Sequence, residues 1–136
     1  MPFSTITLLY VAAGGAFGAM FRFYLVKYFS QFFVHPLFSP ISFINIIGCF
    51  MAGCLYPFLL NQTPSPLLKN AILIGFLGAF TTFSSFMLEA LEISLNTKIF
   101  FTFLQIALCN LLSFLSCFLG FFLAKTLQDY MLKFLS

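Results

Sequence analysis

The chain has 136 residues, 62% of them hydrophobic and 7% charged, with a mean hydropathy of +1.09. No soluble globular domain tolerates that composition, so this is an integral membrane protein with room for one domain, residues 1-136. The formal net charge of +3 arises from scattered Lys, Arg, Asp and Glu residues, which leaves no basic patch for a nucleic acid.

Taken in order, span one (residues 4-33) is uncharged from Ser4 to Arg22, with Lys27 beyond it. It lacks a basic leader and a cleavage site, so it is expected to be retained. Gly14, Gly18 and Arg22 recur every four residues, with Gly15 and Ala19 beside them. Small residues at that spacing let a second helix approach closely. Arg22 differs, because a charge deep in hydrocarbon costs roughly 2.5–3.5 kcal/mol. Either it reaches the interface or it faces a watery vestibule. A loop from His35-Pro36 to Pro40 leads into span two (41-60), where Asn45 is the one strongly polar side chain and Gly48 and Gly53 read as packing positions. A buried amide left unpaired costs about 1–3 kcal/mol. Asn45 therefore makes an interhelical hydrogen bond or turns an N–H donor toward an ion path.

Asn61 to Lys69, with Pro64 and Pro66, reads as the second loop. Span three (70-94) carries Gly75, Gly78, Thr81 and Thr82 within about two turns, all of which weaken a helix. A break at membrane depth frees peptide groups, which is tolerable only where they line a cavity, bind an ion or meet protein partners. Freed carbonyls are hard ligands suited to an ion such as sodium. Just past the break, Phe83 and Phe86 share one helical face. Among 23 Phe residues, two more that simply pack would be unremarked, but a ring edge is electropositive and could also meet an anion. Glu89 and Glu92 close the span. After a tight turn at Asn96-Thr97-Lys98, span four (99-124) carries Gln105, Cys109, Ser113 and Cys117 at intervals of four, with Asn110 beside them. The cysteines Cys49, Cys54, Cys109 and Cys117 lack CxxC spacing and the chain has one histidine, so a zinc site is not expected and the thiols read as small apolar side chains. The tail, Lys125 to Ser136, reads as a frayed amphipathic end.

Three stretches together carry a resemblance. Gly75-Phe-x-Gly-x-x-Thr-Thr-Phe-Ser-x-Phe, followed by Glu89, resembles the third-helix signature of the small fluoride channels, the Fluc/CrcB family. Gly14-Gly15-x-x-Gly18-Ala19-x-x-Arg22-Phe23 and Asn45-x-x-Gly48-x-Phe50-x-x-Gly53 are similar to that family's first- and second-helix motifs. The resemblance implies an all-α protein of four transmembrane helices with the third broken near its middle, assembled as an antiparallel, dual-topology homodimer in the bacterial inner membrane. It implies passive efflux of cytoplasmic fluoride. Ring edges of Phe83 and Phe86, the Asn45 amide and the hydroxyls of Ser84 and Ser113 would meet the anion. Arg22 would stand in a vestibule and Glu89 at a pore mouth, and the carbonyls of Gly78 and Thr81 from each subunit would hold one structural Na+. A hydroxyl-bearing track with an aromatic alcohol is implied on span four, where Gln105 occupies the tyrosine position.

The charge balance agrees with insertion both ways. Lys69, Lys125 and Lys133 fall on one side of the membrane and Lys27 and Lys98 on the other, so the positive-inside rule sets almost no orientation. The rival reading is a small four-helix multidrug or cation exporter with dual topology. It needs a membrane-embedded carboxylate, typically in the first span, and span one has no acid. An accessory subunit without transport would explain packing motifs but not Arg22, Asn45 and a broken span together. No nucleophile, acid–base pair or nucleotide loop argues for an enzyme.

Overall fold

The computed structural model describes residues 4–33, 38–61, 65–96 and 98–135, and these form helices without any strand. His35, Pro36 and Pro64, assigned above to loops, and Thr97 lie outside the described residues. Helix α1 is Thr5–Phe29 and α2 is Pro40–Asn61; α3 (Pro66–Asn70) leads through a π-helical segment, Ala71–Leu77, into the short α4 (Gly78–Phe80). Helices α5 (Phe83–Asn96) and α6 (Ile99–Leu135) complete the chain. Four stretches are long and apolar enough to cross a membrane: Thr5–Phe29, Pro40–Leu59, Pro66–Asn96 and Ile99–Phe134. The protein is all-α and spans the membrane four times.

Helix starts follow local chemistry and shift two expected boundaries. The Ser42 N–H donates to Ser39 Oγ at 3.0 Å, an N-cap, and Pro40 then begins α2 rather than ending a loop. Its missing N–H is no loss at a first helical position. The same logic moves the start of the third span from residue 70 back to Pro66, because Ser65 Oγ accepts from Leu68 N–H at 3.3 Å and Pro66 follows. At the other end the tail is not frayed: α6 runs through Lys125 to Leu135. No glycine or proline follows Gly120, and Ala124, Lys125, Leu127, Gln128 and Met131 are good helix formers. At 1.5 Å per residue, α6 is about 55 Å long against a hydrocarbon core of about 30 Å, so it projects well beyond the bilayer.

Backbones touch at the glycines. Helices α2 and α6 run parallel, and a Cβ built on Gly53 would overlap the Cys117 carbonyl oxygen and stand 3.0 Å from the Phe121 nitrogen. Gly120 returns the contact, with its Cβ position 3.1 Å from the Cys54 nitrogen. Helix α1 lies the same way along the π-helical segment. There Gly14, Gly18 and Gly75 interlock, the Gly75 Cβ position being 2.6 Å from the Val11 carbonyl oxygen and 3.1 Å from Gly14 Cα. Lipid supplies no hydrophobic drive for helix association, so dispersion contact at this range is what holds the pairs. Ile44, Leu77, Phe80, Phe86 and Ala90 form the buried centre, whereas Phe17, Phe23, Phe103 and Phe114 point outward, as lipid-facing rings do.

Gly53→Ala is therefore expected to overpack the α2–α6 contact and cost about 1–3 kcal/mol. Gly15→Ala, whose Cβ would meet only the Gly75 carbonyl oxygen at 3.9 Å, should be neutral. Thermal unfolding in detergent checks both, and equal midpoints would refute the close-packing account.

Candidate functional site

The third span loses its helical ladder at one point. Thr81 is extended (φ -83, ψ 147), helix α4 ends at Phe80, and α5 resumes at Phe83. Gly78, by contrast, is helical (φ -63, ψ -31), so the departure belongs to Thr81 and Thr82 and not to the glycines. Thr81 still holds back to the preceding turn: its N–H and its Oγ1 both donate to the Leu77 carbonyl, at 3.0 and 2.9 Å. Such back-bonding by threonine offers the backbone an alternative to the regular ladder.

Side chains from other elements replace the missing ladder bonds. In a continuous helix the Thr82 N–H would donate to the Gly78 carbonyl; here it donates to Asn45 Oδ1 at 2.9 Å. Asn45 Nδ2 donates in turn to the Thr82 carbonyl at 3.1 Å. The Asn45 amide thus clasps the Thr82 peptide groups from α2. The Ala79 carbonyl, whose helical donor would be Phe83 N–H, accepts instead from Arg22 Nε at 3.1 Å. Arg22 Nη1 reaches Ser85 Oγ at 3.5 Å. Thr82 Oγ1 caps α5, accepting from Ser85 N–H at 3.3 Å, a donor that an unbroken helix would give to the Thr81 carbonyl. The ordinary helical donors of the Gly78 and Thr81 carbonyls, Thr82 N–H and Ser85 N–H, are both spent on side chains.

A cleft of about 190 Å³ opens beside this clasp, lined by Asn45, Thr81, Phe83, Phe86, Cys109 and Ser113, among others. Among the described residues its lining holds no carboxylate, lysine or arginine. Phe83 and Phe86 lie with ring centroids 6.4 Å apart and planes tilted by 58°. Phe86 is buried at 2% exposure while Phe83 is 66% exposed, so one ring is fixed by the fold and the other stands on the surface. Thr81 fits only because Gly48 faces it: a Cβ there would overlap the Thr81 methyl group and crowd the Phe80 ring.

The sequence-selected residues thus divide. Asn45, Phe83, Phe86, Ser113 and Thr81 meet at the cleft. Ser84 is exposed, outside the lining, with its Oγ 3.4 Å from Thr82 Oγ1. Gly78 is exposed one turn before Thr82. Arg22 is half-buried and bonded at the interruption. Glu89 lies farther along α5, half-buried, with Oε2 enclosed and no hydrogen-bond partner among the described residues. Two more such groups were not singled out as ligands: Gln105, at 0% exposure with neither amide atom paired, and Thr102, whose hydroxyl is likewise enclosed. Gln105 lies one turn before Cys109 on the inward face of α6. Ser85 and Ser116 also escaped sequence reasoning; Ser116 Oγ donates to the Ile46 carbonyl at 3.0 Å, tying α6 to α2. A Ser/Thr at the third position after Thr82 was the available signal for Ser85.

Comparison with known proteins gives one consistent result. A family model described as "CrcB-like protein, Camphor Resistance (CrcB)" matches residues 9–121. The chain is 37% identical over 119 residues to the fluoride-specific ion channel FluC of Campylobacter jejuni subsp. jejuni serotype O:6, covering 88% of this chain and 98% of that protein. It is 33% identical over 123 residues to the FluC of Flavobacterium psychrophilum, covering 89% and 98%. With the FluC of Stutzerimonas stutzeri it shares 43% identity over 84 residues, 61% of this chain and 68% of that one.

Asn45→Ala strands the Thr82 N–H and carbonyl, each at a cost on the order of 1–3 kcal/mol. The expected outcome is a clear loss of stability in detergent unfolding, larger than that of Cys49→Ala one turn along the same helix. Equal losses would mean that the clasp contributes nothing.

Proposed function

The chain belongs to the CrcB-like protein family, and from that premise we propose that it is a fluoride-selective channel of the bacterial cell membrane, letting cytoplasmic fluoride leave passively. The observation that carries this reading is the uncharged cleft at the clasped interruption. Fluoride is small and strongly hydrated. A route for it must replace water with partial positive charges, because full charges would bind too tightly to release. Asn45 keeps one amide proton beyond the one given to Thr82. The Ser113 hydroxyl and the edges of Phe86 and Phe83 supply further donors of modest strength. Arg22 stays bonded to the backbone and acts at a distance, making the vestibule favourable to anions without entering the path. The exporter reading finds no support here, since α1 contains no acid.

The working unit on this reading is an antiparallel pair of subunits. What supports pairing is that Phe83 and Gly78 are exposed next to the buried Phe86 and Phe80. A second inverted copy would cover both and supply a second pair of rings. Where the sodium ion is concerned, the Gly78 and Thr81 carbonyls are hard oxygen donors without their helical partners. Two oxygens from one chain are too few for a hard cation, and two more from the partner copy would make a cage. Held there, the ion would neutralise converging carbonyl dipoles and fix the two interruptions against each other.

Two measurements test this. Proteoliposomes carrying Phe83→Ile or Phe86→Ile should remain dimeric on gel filtration yet lose most fluoride efflux, because an apolar volume is kept while the ring quadrupole is removed. Phe121→Ile, which packs on Tyr56 away from the cleft, should conduct nearly normally, and wild-type efflux in both motif variants would overturn the assignment of the route. Replacing all sodium by potassium should weaken the dimer or slow efflux, and a lack of effect on either would remove the ion from the account.

A further inference from the structure

The chain's four cysteines are free and lie along the contact of α2 with α6. They are not equivalent. Cys54 packs against Gly120, and Cys117 lines a separate apolar cleft with Gly53 and Tyr56. Cys49 and Cys109, in contrast, both line the cleft that holds Asn45, Phe86 and Ser113. They come from different helices and share a neighbour, the Ser113 side chain, and Cys49 lies within electrostatic range of both Cys117 and Cys109. Two thiols from different helices thus border one cleft beside Asn45 and Ser113.

We propose that Cys49 and Cys109 form a two-thiol site for a soft, two-coordinate metal ion of the Hg(II) or Ag(I) class, and that an ion bound there plugs the cleft. The donor set selects the metal. Among the described residues no group of three or more His, Cys, Asp and Glu side chains could hold a metal ion, so a tetrahedral zinc site is out of reach. Thiolates prefer soft cations, and Hg(II) is content with two sulfurs in line. The reaction is an exchange without redox change: one Hg(II) and two S–H groups give a neutral S–Hg–S bridge, and two protons leave to solvent. A neutral bridge requires no counterion, which suits a site at membrane depth. In a cleft of about 190 Å³, the bridge also takes up space an anion needs.

The binding claim stands on the thiols alone, while the block rests on the reading of this cleft as the fluoride route. Mercuric ion is added to the purified dimer and to proteoliposomes, excess is removed with a monothiol wash, and retained mercury per chain is counted by elemental mass spectrometry. A Cys54→Ser/Cys117→Ser variant should keep about one mercury per chain and lose most of its efflux relative to the same sample before treatment. Adding Cys49→Ser or Cys109→Ser to it should abolish retention, with Cys→Ala replacements serving if a serine variant fails to fold. Retention that survives loss of either cysteine, or is absent while both are present, overturns the site. Mercury retained on both thiols with efflux unchanged upholds the site but overturns the block, and the failure then belongs to the assignment of the route.

Discussion

Every backbone group that leaves a helix inside a bilayer must find a partner, since hydrocarbon supplies none and each orphan costs several kcal/mol. This chain leaves its helical ladder at Thr81 and Thr82 and meets that requirement from three directions. Asn45 of α2 pairs both groups of Thr82, Arg22 of α1 pairs the Ala79 carbonyl, and Thr82 itself caps the next helix. The interruption is consequently held by three separate elements. Moving it would mean separating helices, which the backbone contacts at Gly14, Gly18, Gly53 and Gly120 resist.

The same bonds sort the electrostatics. Arg22 is the cation bonded at the interruption among the described residues, and an unpaired guanidinium inside the cleft would hold an anion too tightly to release it. Its Nε on a carbonyl and its Nη1 near Ser85 fix it outside the cleft lining. What remains in the lining is amide, hydroxyl, thiol and ring edge, a set of weak positive ends that can exchange with a hydration shell. The partnerless amide of Gln105 and hydroxyl of Thr102 extend this polar character along α6. Buried unpaired groups are costly, which makes Gln105 and Thr102 the places on α6 where a partner outside the described residues is most needed.

Much of this was legible because membrane physics narrows the choices. Four long apolar runs can only be helices, and the glycine spacing in α1 and α2 already announced close contacts. Asn45 stood out as an amide that had to pair, and sequence left open whether with a helix or with an ion path. The structure shows that one side chain serves the first purpose and still borders the cleft. Less legible was where among Gly75, Gly78, Thr81 and Thr82 the ladder fails: both glycines stay helical, while the extended residue is Thr81. That outcome depends on Asn45 and on the space above Gly48, both distant in sequence. The boundaries at Pro66 and Leu135 were missed for a simpler reason. Loop residues were read by composition, whereas Ser65 and Pro66 act as a cap and a first helical residue, and the tail lacks anything to stop α6.

The surface of a single chain argues for what the interior cannot complete. Phe83 is exposed although it belongs to the same pair as the buried Phe86. Gly78 is exposed although its carbonyl has lost its helical donor to Asn45. Facing lipid, that carbonyl would be unsatisfied, the condition a bilayer tolerates least. A partner from outside the chain would have to bring positive charge to the carbonyl and protein contact to the ring together. The inverted copy and shared cation proposed above would do both at one place, whereas lipid can do neither. The clasp that borders the cleft also takes the helical donor from the Gly78 carbonyl, so on the reading proposed above assembly and conduction would share one interruption of one helix.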